Sequence, residues 1–225
     1  MRLLAVVTVI AVGLLSVVQA APTNVLDLRT EYSAASAVQT PKGVQYGRIW
    51  RTPTALRHEM PEERVNTVIA RLDRKVAWVL LPEQKLAIEL GLDNFGLPTE
   101  LLTGAGVKQT PVGQETIAGM RTTKVHVERP AGQNGNGRFD GDVWTTAEGI
   151  IMRIVGTGEN QGRAGKVNMS FSDVKVGRQD PRLFELPADY RRLALKGVDF
   201  ESLMAGIDQF KALGAPKQKS GSNPR

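Results

Sequence analysis

The sequence of 225 residues contains no cysteine. Disulfides therefore cannot stabilise its fold, and cysteine catalysis and a cysteine-linked lipid anchor are excluded. Histidine is nearly absent as well: His58 and His126 are the two in the chain. Neither belongs to a ligand spacing such as HExxH, so we expect no metal site.

Long apolar runs are scarce, and the one that exists is N-terminal. Residues 3–15 are almost wholly apolar, and Arg2 precedes them. Val18 and Ala20 place small side chains at the −3 and −1 positions of a cleavage site after Ala20. A basic start, an apolar run shorter than the ~20 residues of a membrane span, and a small-residue cleavage site are typical of a secretory signal peptide. We therefore expect residues 1–20 to be cleaved, leaving a periplasmic protein with no membrane span.

Charge is only mildly unbalanced. The chain has 29 basic and 23 acidic residues, a net of +6. An excess of positive charge favours contact with anionic lipid head groups or glycans. Much of it is dispersed, and part of it lies in residues 216–225, which we expect to be a disordered tail. Nucleic acid is not an expected partner for an exported protein.

Between residues 28 and 177 the chain is a series of short extended segments separated by turn residues. Spacings of about 8–12 residues predict an antiparallel sandwich or barrel-like sheet, and the lack of long intervening helices argues against a doubly wound fold. The predicted strands are 28–39, 43–52, 54–60, 64–73, 75–81, 84–90, 120–128, 139–146, 149–156 and 165–177.

Two segments are predicted to be helical. The first is 94–106, and the second begins at Asp199 and carries one apolar stripe at helical spacing. Residues 190–195 are predicted to add another turn or two. A stripe of this kind usually docks on the protein's own sheet, and a partner-binding surface is the alternative. The stripe consists of Phe200, Leu203, Met204, Ile207 and Phe210.

The segment 75–81 differs from the other predicted strands because both of its faces are apolar. Val76, Trp78 and Leu80 alternate with Ala77, Val79 and Leu81, and residues 82–85 form a tight turn to the next strand. An antiparallel strand usually has one apolar and one polar face. The second face must therefore be covered, either by more protein or by a ligand that the protein carries.

Motifs that carry enzyme chemistry are not found. No GxSxG segment is present, and the stretch "GQNGNGRFDGD" lacks the ligand series and final glutamate of a calcium loop. Asp140 and Asp142 share a strand face, but they follow an Asn-Gly turn and are expected to be solvated. We expect no enzyme activity, no catalytic residue and no cofactor; a hydrolase that uses these two carboxylates is the remaining enzymatic alternative.

Five segments form a characteristic ordered set: "YSAASAV" (32–38), "RLDRKVAWVLLPEQK" (71–85), "GQETIAGMRTTKVHVE" (113–128), "GDVWTTAEGIIMRI" (141–154) and "VKVGRQDPRLFELPADY" (174–190). Together they resemble a periplasmic domain-of-unknown-function family related to the lipoprotein-localisation-factor (LolA/LolB-like) superfamily. The resemblance implies a mainly β (α+β) fold: a curved antiparallel sheet in an unclosed half-barrel, with a few capping helices, one of them C-terminal. It also implies an apolar cavity for acyl chains in a single domain at 21–215.

The expected function is therefore that of a non-enzymatic periplasmic binding or carrier protein. Its ligand would be a lipid or an acylated peptide held between the concave sheet and the helices. The alternative is an envelope interaction or stress-sensor module that binds a protein partner without a small ligand. A register error of one residue would move every lining residue to the other face. The residues expected to line the ligand site are Trp50, Met60, Ile69, Trp78, Leu80 and Ile88.

Overall fold

The structure is a computed structural model, and it describes part of the chain. The predicted signal peptide, the predicted helix at 94–106 and the tail at 216–225 all lie outside the described residues. The described residues are 29–40, 43–61, 66–92, 107–130, 138–160, 163–195, 197–198, 202–203 and 206.

Twelve strands form one open sheet in the order β12-β6-β5-β4-β3-β2-β1-β11-β10-β9-β8-β7. Neighbouring strands run antiparallel, except that β12 is parallel to β6. The strands are β1 Tyr32–Thr40, β2 Gly43–Arg51, β3 Ala55–Glu59, β4 Thr67–Arg71, β5 Val76–Leu81, β6 Leu86–Gly91, β7 Lys108–Ile117, β8 Met120–Arg129, β9 Arg138–Thr145, β10 Ile151–Asn160, β11 Arg163–Val176 and β12 Arg191–Ala194.

All ten predicted strands are confirmed, and the sheet is unclosed and mainly antiparallel, as predicted. Two strands were not predicted. β7 lies in a segment for which the sequence predicts no element. The prediction of a helical turn at 190–195 is wrong because β12 pairs there with the edge of β6.

The predicted capping helices are not supported. No complete α-helix is defined among the described residues, whose helical elements are 3-10 turns at Pro82–Gln84 and Pro181–Phe184. Of the predicted C-terminal helix, Ser202, Leu203 and Gly206 are described, and they have helical conformation.

The turn between β5 and β6 fixes the register of this hairpin. Pro82 begins the 3-10 turn, and Lys85 closes it in the left-handed region with φ 49° while its N–H donates to the carbonyl of Pro82 at 3.2 Å. Leu81 therefore pairs with Leu86, and Val79 pairs with Ile88.

Directly paired residues point to the same side of a sheet, so the registers define two faces. We call one the apolar face, because Ile49, Val79, Val125 and Val143 lie on it and all are at most 5% exposed. The core of the protein lies mainly on this side, against β1, β2, β4–β6 and β8–β11.

The opposite side is the mixed face, which changes character across the sheet. Over β3–β6 it is apolar and carries a second, smaller core. Over β8–β10 it is charged and carries Lys124, His126, Asp142 and Arg153. Residues 181–190, which we call the strap, cross the apolar half of the mixed face before the chain enters β12.

Candidate functional site

The apolar face contains one row of side chains that runs unbroken across six strands. Each member is paired with the next through the strand registers. Five of the six are apolar or aromatic and one is an arginine. In sheet order the row is Tyr32, Arg51, Leu56, Ala70, Ala77 and Leu90.

The same face continues across β11, β10, β9 and β8 in a large buried cluster. Phe171, Met152 and Val127 belong to it, each at most 5% exposed. Apart from Val107, the described residues packed against this cluster belong to the sheet's own strands or to the turn before β10. The described residues thus supply no second layer of secondary structure over this half of the apolar face.

Over β4–β6 the apolar face has a cover that the chain provides. Leu203, a member of the predicted C-terminal stripe, is 8% exposed and packs with Val79, Leu81 and Ile88. The stripe is therefore docked on the protein's own sheet at this residue, as predicted. The remaining stripe residues lie outside the described part of the chain.

A polar pair interrupts the apolar face near its middle. The Ser36 hydroxyl and Nε2 of His58 lie 2.9 Å apart in a hydrogen bond. Ser36 is 3% exposed, and burial lowers the pKa of His58 below its ordinary value. Neutral His58 at pH 7 satisfies Ser36 without placing a charge on this face.

Arg51 is the second polar feature of the apolar face. It is 6% exposed, hydrogen-bonds the Tyr32 side chain, and has an Nη2 atom with no hydrogen-bond partner among the described residues. Sequence reasoning did not select Arg51. The available signal was its alternation with Ile49, which places both side chains on one face of β2.

Four of the six predicted lining residues come together, but on the mixed face. Trp50, Ile69, Trp78 and Leu80 belong to one cluster, and Phe184 of the strap, 3% exposed, packs into it. The described cover of the second face of strand β5 is therefore protein. On the mixed face, the second apolar side of β5 is thus covered by the strap and not by a ligand.

Two arginines hold the strap in place over these residues. Nη1 of Arg57 donates to the carbonyl of Leu183 at 3.0 Å. Arg71 donates to Glu185 and, at 2.9 and 2.7 Å, to the two carboxylate oxygens of Asp73. The hydrogen bond to Asp73 is the main reason why the pKa of Arg71 is raised. Because charge-assisted bonds from two strands reach the strap, it is fixed at its centre.

The other two predicted lining residues lie elsewhere. Ile88 is on the apolar face, since it pairs with Val79 and packs with Leu90 and Leu203. Met60 directly follows β3, and its N–H donates to the carbonyl of Asn66 at 2.7 Å. The structure thus does not bring Met60 or Ile88 together with the four residues under the strap.

The acidic residues considered for catalysis lie on the charged half of the mixed face. Asp142 accepts from Nδ1 of His126 at 3.0 Å and forms an ion pair with Lys124 at 2.8 Å. Burial acts to raise the pKa of Asp142, but hydrogen bonds from Lys124 and His126 outweigh it and hold the pKa below its ordinary value. Within the described ranges, no group of three metal-ligating side chains is arranged to hold a metal ion. Asp142 is therefore an ionised structural partner of Lys124 and His126.

In the part of the chain that the structure describes, no helix combines the length and the apolar character that a membrane span requires.

Comparison with known proteins gives structural neighbours but no sequence relatives. No protein-family model matches the chain, and no curated protein matches it significantly. Solved structures similar to it include MucB in complex with MucA(peri), with 13% sequence identity and a TM-score of 0.46. That match covers 76% of this chain and 59% of the MucB chain, so this protein spans about three fifths of the MucB structure.

Two further similar structures are covered over about nine tenths of their own length, and one of them is a LolA superfamily protein. A LolA superfamily protein from Nitrosomonas europaea is 9% identical over 70% of this chain and 90% of its own, with a TM-score of 0.37. LprF from Mycobacterium bovis is 12% identical over 74% of this chain and 92% of its own, with a TM-score of 0.36. The predicted resemblance to LolA-like proteins is confirmed as a likeness to solved structures.

Proposed function

We propose that this protein is a non-enzymatic periplasmic binding or carrier protein, and that its apolar face holds a hydrophobic ligand, either a lipid or an acylated peptide. The observation that carries the proposal is the extent of this face. Its side chains run in register from β1 to β6 and again from β11 to β8, and they are mostly apolar, with Arg51 and the Ser36–His58 pair as interruptions. No second layer of described elements lies over β8–β11. Val79, Val125 and Val143 are at most 5% exposed, so the ligand would lie among these buried side chains and not on an open surface.

The mixed face is the less suitable surface for a ligand. Phe184 already fills the space over Trp78 and Ile69, and ion pairs hold the strap that carries it. Of the residues predicted to line the site, Ile88 is the one on the apolar face. Trp50, Ile69, Trp78 and Leu80 would reach a ligand only after the strap moves aside. We therefore assign the primary ligand surface to the apolar face.

The periplasmic location is part of the same proposal. Its support is the sequence of residues 1–20, with a basic start, an apolar run and a small-residue cleavage site.

Ligand binding is tested with the neutral fluorescent probe N-phenylnaphthylamine, which becomes brighter in apolar surroundings. Ile154 and Val155 are a matched pair on β10: both are half-buried, and they point to opposite faces. We expect Ile154→Ser to weaken probe binding several-fold and Val155→Ser to leave it unchanged. Native mass spectrometry of protein purified from a cell envelope should show lipid mass on the chain. Bare protein together with no probe binding would reject the proposal.

One observation favours the second function, a module that binds an envelope protein. Val44 and Tyr46 stand two residues apart on the mixed face of β2, exposed by 45% and 66%. A photo-crosslinking amino acid at position 46 should then capture a discrete partner in cells, whereas the same group at Thr157 should not. Crosslinking at position 46 with no lipid on the purified protein would favour this function over the first.

A further inference from the structure

A charged side chain lies within the apolar row of the sheet. Arg51 ends β2, and it stands between Tyr32 on β1 and Leu56 on β3. It is 6% exposed. Its Nη2 atom finds no hydrogen-bond partner in the described part of the chain. The guanidinium therefore has at least one buried donor that the described protein does not satisfy.

Among the described residues, no carboxylate forms an ion pair with this cation. The groups that act on Arg51 are its own burial, which lowers its pKa, and Tyr32, which offsets part of this through a hydrogen bond. A phenol hydroxyl offers a hydrogen-bond acceptor but not the negative charge of a carboxylate. A guanidinium removed from water destabilises the fold unless an anion compensates its charge. By contrast, Arg57 and Arg71 on the mixed face each have a carboxylate partner.

The position of Arg51 suits an anchor for one end of a long molecule. It is the last residue of β2 and pairs with the first residue of β1, so the pair lies at one rim of the sheet. Going inward along β2, the apolar face offers Ile49 and then Gly47, where the Ser36–His58 pair ends the apolar path. At about 3.3 Å per residue this is roughly 13 Å. An acyl chain of about ten carbons has a comparable length.

We propose that Arg51 binds the anionic head group of an amphiphile whose acyl chain lies along the apolar face. The ligand would then be a fatty acid or a phosphate-bearing lipid, because a carboxylate or a phosphate accepts hydrogen bonds from the guanidinium fork and supplies the missing charge. This inference rests on the proposed function, since it names the head-group chemistry of the same site.

The test compares three ligands with the same chain: decanoate, decyl phosphate and decan-1-ol. Each displaces N-phenylnaphthylamine from the purified protein at pH 7.5, and the half-displacement concentrations are compared. We expect one or both anions to act at a concentration at least tenfold lower than the alcohol. The anion with the larger advantage identifies the source of the head group, carboxylate or phosphate. In Arg51→Met the probe should still bind, and the three ligands should fall within about threefold of each other.

Arg48→Met is the matched control, because this substitution removes the same charge from the same strand, but on the opposite face. It should keep the tenfold preference. A second readout separates binding from structure: without ligand, Arg51→Met should melt no lower than the unmodified protein, since an uncompensated charge has been removed. If Arg51→Met does not fold, Arg51→Gln is measured in the same way.

The outcomes distinguish this inference from the function on which it rests. If the probe binds but the alcohol acts at the same concentration as both anions, the head-group assignment is rejected and the hydrophobic site stands. The same holds if Arg51→Met or Arg51→Gln keeps the preference for anions. If neither the probe nor any of the three ligands binds, both are rejected.

Discussion

Ser36 on β1 and His58 on β3 are hydrogen-bonded at 2.9 Å although strand β2 lies between them. The contact exists because the intervening residue on β2 is Gly47. A Cβ built on Gly47 would stand 3.0 Å from the Ser36 hydroxyl and 3.1 Å from Nε2 of His58, and 2.3 Å from the carbonyl of Glu59. The missing side chain thus lets two polar groups satisfy each other on an apolar surface.

Stability should fall in mildly acidic solution because of His58. An unfolded histidine has a pKa of about 6.5, and burial lowers the pKa of His58 in the folded protein. Below about pH 6.5 the unfolded state therefore binds the proton first, so the contribution of His58 is complete above that pH and is lost as pH falls through the folded pKa. In urea unfolding between pH 7.5 and 5, His58→Gln should lose less stability than the unmodified protein. An equal loss in both would contradict this.

Gly156 should tolerate no side chain, whereas Gly158 on the same strand and face should. A Cβ at Gly156 would stand 2.5 Å from the carbonyl of Asp140 and 2.9 Å from the ring of Phe139; at Gly158 the nearest atom is 3.5 Å away. Gly156→Ala should therefore lower the free energy of unfolding by about 1–3 kcal/mol. Gly158→Ala should change it by about 0.5 kcal/mol or less. Chemical denaturation measures both, and similar values would argue against the close approach of β9 and β10.

Replacing either of two buried threonines by valine should change the free energy of unfolding in opposite directions. The Thr145 hydroxyl is fully buried and has no partner within the described residues, whereas Thr122 donates to the carbonyl of Glu115 at 2.6 Å. An unsatisfied buried hydroxyl destabilises a fold, so Thr145→Val should raise the free energy of unfolding by about 1 kcal/mol. Thr122→Val should lower it by about 1–2 kcal/mol, because the carbonyl loses its donor. Thermal denaturation of both variants compares the signs, and a destabilised Thr145→Val would show that its hydroxyl has a partner.

Phe184 should be the side chain that holds the strap on the mixed face. This side chain is 3% exposed and packs against Trp78 and Ile69, so Phe184→Ala should cost about 3–5 kcal/mol. Hydrogen exchange should accelerate first in the strap and β12 and only later in β1 and β11. Leu193→Ala, at a residue 45% exposed in β12, should have little effect. If the strap amides exchange no faster in Phe184→Ala, the anchoring role is wrong.

The sequence predicts the strands of the sheet where alternation is clear and fails where pairing alone decides. β7 contains Pro111 and Gly113, a register shift lies between them, and most of its residues are exposed. No hydrophobic period marks such an edge strand. β12 reads "RRLA" and has no strand propensity of its own; it forms because the N–H of Arg191 donates to the carbonyl of Lys85 at 2.8 Å. Tertiary pairing overrides local preference there.

The candidate site shows the same division. The doubly apolar character of β5 is readable from Trp78 and Val79, and the structure confirms that both faces are covered. Which residue covers which face depends on contacts distant in sequence, such as Phe184 on Trp78, and no local pattern encodes them. Ile88 does not share a face with Trp78, because the turn at residues 82–85 sets the pairing of Val79 with Ile88.

The parallel strand β12 has a consequence for the order in which the protein is completed. β6 ends one side of the sheet until β12 pairs with it, and Arg192 and Glu89, joined by a side-chain hydrogen bond at 3.3 Å, are 103 positions apart in sequence. While the chain emerges from a ribosome, β6 is therefore an open edge that a second nascent copy could pair with. β12, a short segment rich in arginine, covers the β6 edge once it has been made. This protects the new sheet from pairing with other copies and aggregating.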